Sequence, residues 1–207
     1  MNIRKNFFAI HIICALLFFT ASMHGKSRTV IALQPLGSVN KEIIDEAVKG
    51  IISMYSAEVK VLPSRDLPAE SYYKPTSRYR AEILLDFLEK NTDDAITKII
   101  GLTEKDISTT KGKIFDWGIF GLGRIRGRSC VVSSFRLYFG NATKKKFLFR
   151  LVKVVNHELG HTFGVNHCAT AGCLMEDAKG TIVTLDGEDG SICGKCAVLL
   201  RDVILQK

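Results

Sequence analysis

Histidine is scarce in this 207-residue chain, which holds five. His11 and His24 fall in an N-terminal leader and the other three share one short stretch, so no imidazole is left for a second role in the main body. Internal repeats and low-complexity tracts are absent, which excludes a solenoid or a long disordered linker as the organising principle. Acidic side chains are absent from residues 1–25. The apolar run there, FFAIHIICALLFFTA, is about fifteen residues, short of the ~20 that a membrane-spanning helix needs.

Arg4 and Lys5, that apolar run, and the small residues Ala21 and Ser22 together read as a secretory signal peptide over residues 1–25. Ser22 and Gly25 are the candidate cut points, and a membrane anchor is the lesser reading. Cys14 lacks the small residues that precede a lipidated cysteine. The expectation is therefore an exported protein, secreted or periplasmic, with no stable membrane insertion once the signal is removed. Residues 26–207 remain, a length suited to one domain around one main core.

The formal charge of +8 loses Arg4 and Lys5 with the leader, leaving +6. RIRGR (124–128) and the lysines 144–146 lack the interleaved aromatics and recognisable fold that a nucleic-acid surface needs, so they read as a solvated basic face and no nucleic-acid partner is expected.

What the chain does have is HELGHTFGVNHC, from His157 to Cys168. On a helix His157 and His161 share a face and can grip one metal ion, with Glu158 rotated to stand beside its open side. Gly164 can take a positive φ, turn the chain sharply and return His167 as a third nitrogen ligand. Three protein ligands leave a fourth position for water, which separates catalytic from closed structural zinc. The expected chemistry is hydrolysis of a peptide bond by metal-activated water, with Glu158 as general base. The rival is a non-catalytic, zinc-stabilised peptide- or protein-binding module; a base beside an open coordination site counts against it.

Cys168, Cys173, Cys193 and Cys196 follow within thirty residues, the last two as CGKC. Four thiolates suit a second, structural zinc, so two Zn2+ per chain are expected. Two disulfides are the competing reading in an exported protein, though a two-residue spacer rarely suits one. A redox role for CGKC has no thioredoxin-like context before it. Cys130, in SCVVSSF, reads as a buried hydrophobe.

HELGHTFGVNH followed by CATAGCLM, then CGKC after seventeen intervening residues, resembles the archaemetzincins, metzincin-clan zinc metallopeptidases with an additional cysteine-bound zinc. The likeness is specific from Val154 to Cys196, looser from Trp117 to Leu137, and without a motif over the first hundred residues. It implies a metzincin-like zincin with an active-site helix, and a peptide or protein substrate. It also places Met175 in a tight turn beneath the catalytic zinc. The tyrosine that some metzincins carry after that methionine is missing, since none follows Tyr138.

Periodicity gives the rest. TVIALQPL reads as a strand, Asn40–Tyr55 as a helix and AEVKVL as a strand. Pro63, Pro68 and Pro75 mark a tyrosine-rich loop before a helix from about Arg78 to Lys90. KIIGLTEKDI, IFDWGIFGLG and SCVVSSFRLYF read as strands, the last as the exposed edge on which a peptide would lie. The ligand helix is expected to start at a Thr143 cap, burying Phe147, Leu148, Leu151, Val152 and Val155. CAVLLRDVILQ is expected to close the chain as a helix. Asn141-Ala142-Thr143 also fits a glycosylation sequon. The fold class is α+β, a mixed twisted sheet backed by helices in one compact domain, expected to act as a monomer.

Overall fold

The structure is a computed structural model that describes residues 29–187 and 189–204; the signal-peptide reading lies outside them. In chain order the elements are β1 (Val30–Pro35), α1 (Lys41–Met54), β2 (Glu58–Val61), β3 (Tyr72–Tyr73), β4 (Arg78–Arg80), α2 (Ala81–Lys90) and β5 (Lys98–Thr103). β6 (Ile107–Lys111), β7 (Ile114–Ile119), β8 (Gly121–Gly123), β9 (Ser129–Ser133), α3 (Lys144–Thr162), α4 (Ile182–Gly187) and α5 (Gly194–Leu200) follow.

The main sheet runs β2-β1-β5-β9-β8, parallel except for the antiparallel β8. Its central strands are apolar at nearly every position because both faces are covered. Ile31, Leu33, Ile100, Leu102, Cys130 and Val132 face α1 and α3, whereas Ala32, Ile99 and Val131 face Leu84, Leu85 and Leu88 of α2. Cys130 is fully buried in the first of these cores, as the sequence suggested.

A second sheet, β3-β4-β6-β7, explains three departures from the sequence expectations. Arg78–Arg80 is a strand rather than the start of α2, because its arginines bind across this sheet: Arg78 to Asp106 and Asp116, Arg80 to Thr110 and the Phe115 carbonyl. KIIGLTEKDI breaks between β5 and β6, where Asp106 turns to meet Arg78 and Arg136. IFDWGIFGLG breaks at Phe120, where the chain crosses from the second sheet to the edge of the first.

SCVVSSFRLYF also departs from expectation, and here the edge assignment needs correction. Only Ser129–Ser133 is strand, and it lies between β5 and β8, so Val131 and Ser133 are interior to the sheet. The Ser133 hydroxyl accepts the Phe135 N–H and a 3-10 turn follows over Phe135–Tyr138. The edge beside the ligand helix is β8.

Thr143 caps α3 through the Lys146 N–H, and Phe147, Leu151 and Val155 are buried on its inner face with Leu148 and Val152 half-buried. Arg150, 1% exposed, reaches Asp186 of α4 with two hydrogen bonds of 2.7 and 2.8 Å and takes the Leu137 and Phe139 carbonyls on its other nitrogen. α5 ends at Leu200, short of the expected C-terminal helix. Beyond it Val203 accepts the Ser56 N–H and Ile204 bridges to Tyr55, contacts that a continued helix could not make.

Candidate active site

The last two turns of α3 carry His157, Glu158 and His161 into a cleft of about 590 Å³. The His157 and His161 Nδ1 atoms each lie 2.7 Å from a backbone carbonyl, those of Leu174 and Val165. A carbonyl only accepts, so both Nδ1 atoms carry the proton and both Nε2 atoms carry lone pairs. Those lone pairs are 3.0 Å apart. Two acceptors at that distance repel unless a cation lies between them, and metal–nitrogen bonds of ~2.0–2.1 Å fit the spacing. Burial, then neighbouring His161, pushes the His157 imidazolium down to about 3, and burial lowers His161 as well, so both rings are neutral at pH 7.

Gly164, at φ +98°, ends the helix and returns the chain, as the sequence suggested. The return brings His167 beside the pair, its ring 5.3 and 4.9 Å from theirs, and one donor nitrogen from each of the three lies within 4.8 Å of the others. The donor set and its tautomers fit a zinc ion.

Glu158 is buried, facing β8. Burial lifts its carboxyl to about 8 against the Gly123 N–H, which holds it down; a cation at the neighbouring histidines would favour the carboxylate form. β8 can approach because it is Gly-Leu-Gly: a Cβ on Gly121 would sit 2.6 Å from Glu158 Cγ, and one on Gly123 would sit 2.6 Å from the Glu158 carbonyl. Beneath the helix the fully buried Met175 places its thioether against Gly160, between the two helical histidines.

Cys168, Cys173, Cys193 and Cys196 converge with all four sulfurs within 4.8 Å of one another and no disulfide among them. The Cys168–Cys193 sulfur separation is 3.7 Å. Four sulfurs at ~2.3 Å from one ion stand about 3.8 Å apart, whereas a disulfide needs ~2.05 Å. The Cys193 N–H points at Cys173 sulfur and the Thr170 N–H at Cys168 sulfur. The Cys196 backbone N–H draws the Cys193 thiol down to about 6, while burial and the neighbouring thiols push Cys196 up.

The structure thus brings together every predicted site residue, in two clusters. Sequence reasoning missed the opposite wall of the cleft, Thr109, Thr110, Lys111 and Trp117 of the second sheet, and it missed Asp177 beside His167. It also missed β8, although the glycine alternation in FGLG was the available signal. Tyr138 is exposed on Phe147 and does not line the cleft. Arg124 and Arg128, read as a basic face, are tied to Asp86, Glu89 and Asp94. Among the described residues no helix is long and apolar enough to cross a membrane.

A mixed sheet with a histidine-bearing helix set beneath an open cleft defines a zinc-dependent metallopeptidase. The profile of peptidase family M54 matches residues 27–202. An archaemetzincin of Methanopyrus kandleri is 36% identical over 72% of this chain and 82% of its own length, and one of Halobacterium salinarum is 31% identical over 80% and 96%. The crystal structure of archaemetzincin from M. kandleri superposes with a TM-score of 0.73 at 31% identity, covering 87% of this chain and 97% of that one. That from Archaeoglobus fulgidus gives 0.70 at 30% identity, covering 83% and 99%. The chain belongs to peptidase family M54, the archaemetzincins.

Proposed function

We propose that this peptidase works with His157, His161 and His167 holding a catalytic zinc and Glu158 as its general base. The observation that carries the reading is the convergence of three imidazole nitrogens with one buried carboxyl group on a single cleft. When bound, the zinc polarises the scissile carbonyl and brings the pKa of its water towards ~7. Glu158 accepts the proton of the attacking water and delivers it to the leaving amine. The Leu174 and Val165 carbonyls hold the His157 and His161 rings with Nε2 facing the ion. The free edge of β8 offers main-chain groups on which a peptide lies as an added strand, with Glu158 packed against Gly121 and Gly123 of β8.

Cys168, Cys173, Cys193 and Cys196 hold a second, structural zinc, a reading supported by sulfur spacing rather than by the thiol count. Metal analysis of the intact protein is expected to give two zinc ions per chain. Residues 1–25 direct export, which mass spectrometry of the mature N-terminus tests, and the mature chain acts as a monomer, which sedimentation tests.

Glu158→Gln decides the mechanism. It preserves the shape of the side chain and removes the base, so zinc content stays at the parental level while turnover falls by ~10²–10⁴. Undiminished cleavage by that variant refutes the assignment.

A further inference from the structure

The third histidine is held unlike the other two. His157 and His161 are steered by backbone carbonyls 2.7 Å from Nδ1. The His167 Nδ1 instead faces a carboxylate, Asp177 Oδ2, at 3.9 Å. Asp177 is anchored for this: its Oδ1 accepts the Lys179 N–H at 2.8 Å, which leaves Oδ2 turned to the ring. Its loop is pinned to the ligand helix as well, because Met175, two residues earlier, is fully buried against Gly160. His167 has 51% of its side chain exposed and room to rotate. Closing to the ~2.7–2.9 Å of a charge-assisted hydrogen bond takes a movement of about 1 Å.

We propose that Asp177 is the positioning residue of His167, accepting the Nδ1–H and so committing Nε2 to the metal. The inference rests on the reading of His157, His161 and His167 as zinc ligands. A carboxylate behind an imidazole fixes its tautomer and orientation and raises its basicity. Here the strongest of the three acceptors stands behind the one ligand that no helix holds. A neutral carbonyl suffices for His157 and His161 because α3 and the Gly164 turn already fix their rings; His167 lies in irregular chain and its side chain is half in solvent.

The experiment measures zinc bound per chain at buffered free-zinc concentrations for the parent, His167→Ala, Asp177→Ala and Asp177→Asn. Thiol reactivity is followed in parallel, to show that the cysteine cluster keeps its own metal. The parent and His167→Ala establish which zinc is being read: if they bind alike, the ligand reading itself fails. Given that they differ, Asp177→Ala is expected to weaken the histidine-held zinc 10–100-fold. Asp177→Asn separates positioning from mere loop structure. Its carbonyl keeps the turn to Lys179, but its NH₂ then confronts the Nδ1–H, donor against donor. The expected loss therefore equals that of alanine. Parental affinity in the asparagine variant, or a change under twofold in the alanine variant, overturns the proposal.

Discussion

Replacing Asp186 with asparagine tests whether the buried Arg150 is the clamp that holds α4 to the ligand helix. Arg150 has 1% of its side chain exposed and meets both Asp186 oxygens; Lys146 adds a third contact at 2.7 Å. The Arg150 hydrogen bond, ahead of the other causes, holds the Asp186 carboxyl down at about 2 from its ordinary 3.8. That difference of nearly two units is worth about 2.5 kcal/mol at ~1.36 kcal/mol per unit. Asp186 is 25% exposed, so solvent screens the pair only partly. Breaking a buried pair costs ~3–5 kcal/mol in all, because the remaining charge loses its partner. The proton-linked part is thus the larger share. A depressed carboxyl contributes stability that is complete above its unfolded pKa and is lost as pH falls through the folded one. Urea denaturation of parent and variant from pH 7 to pH 2 reads the difference, and zinc loss common to both cancels. The difference should hold at about 3 kcal/mol or more from pH 7 to about pH 5 and shrink by about 1.8 kcal/mol between pH 4 and pH 2, the rest of the linked term being lost only below pH 2. A difference below ~1 kcal/mol at pH 7, or one that stays flat to pH 2, refutes the clamp.

Gly121→Val drives a side chain into Glu158, whose Cγ lies 2.6 Å from a Cβ at that position, and a ~1 Å displacement of the base is expected to lower kcat about 100-fold with zinc retained. Steady-state kinetics beside metal analysis checks this, and parental kcat sinks it. Val131→Pro removes a ladder donor from a strand paired on both sides, so it should destabilise the protein by ~3 kcal/mol or more rather than selectively weaken peptide binding. A KM effect without a stability effect would show β9 to be the substrate edge after all. Cys173→Ser opens the four-sulfur cluster next to Leu174, whose carbonyl steers His157, so it should lose one zinc and lower turnover together; loss of the zinc at full activity separates the two centres.

The active site was legible because its information is local. His157, Glu158 and His161 are placed by helical period, Gly164 by its φ, and His167 by a three-residue return, so their convergence needs no knowledge of the distant chain. The thiol cluster is nearly as local, and what the sequence leaves open there, metal or disulfide, depends on sulfur spacing that no sequence prints. The parallel core was legible for a similar reason: strands covered on both faces must be apolar throughout.

What stayed hidden is organised by charge at long range. The second sheet depends on Arg78, Arg80 and Arg136 finding Asp106, Asp116 and Thr110 across about thirty residues or more of chain. In the sequence these arginines are indistinguishable from solvated ones, and Arg78-Tyr-Arg80 continued a helical pattern equally well. Mistaking that strand for helix removed the second sheet from view. With it went the reason for the chain to cross at Phe120 and lay Gly121–Gly123 outside β9. The exposed edge was therefore misassigned by one strand, although the structure brings His157, Glu158, His161 and His167 to one cleft as the sequence suggested. In this fold the candidate metal ligands are encoded in a short contiguous segment, while the sheet edge and cleft wall that face them depend on ion pairs far along the chain.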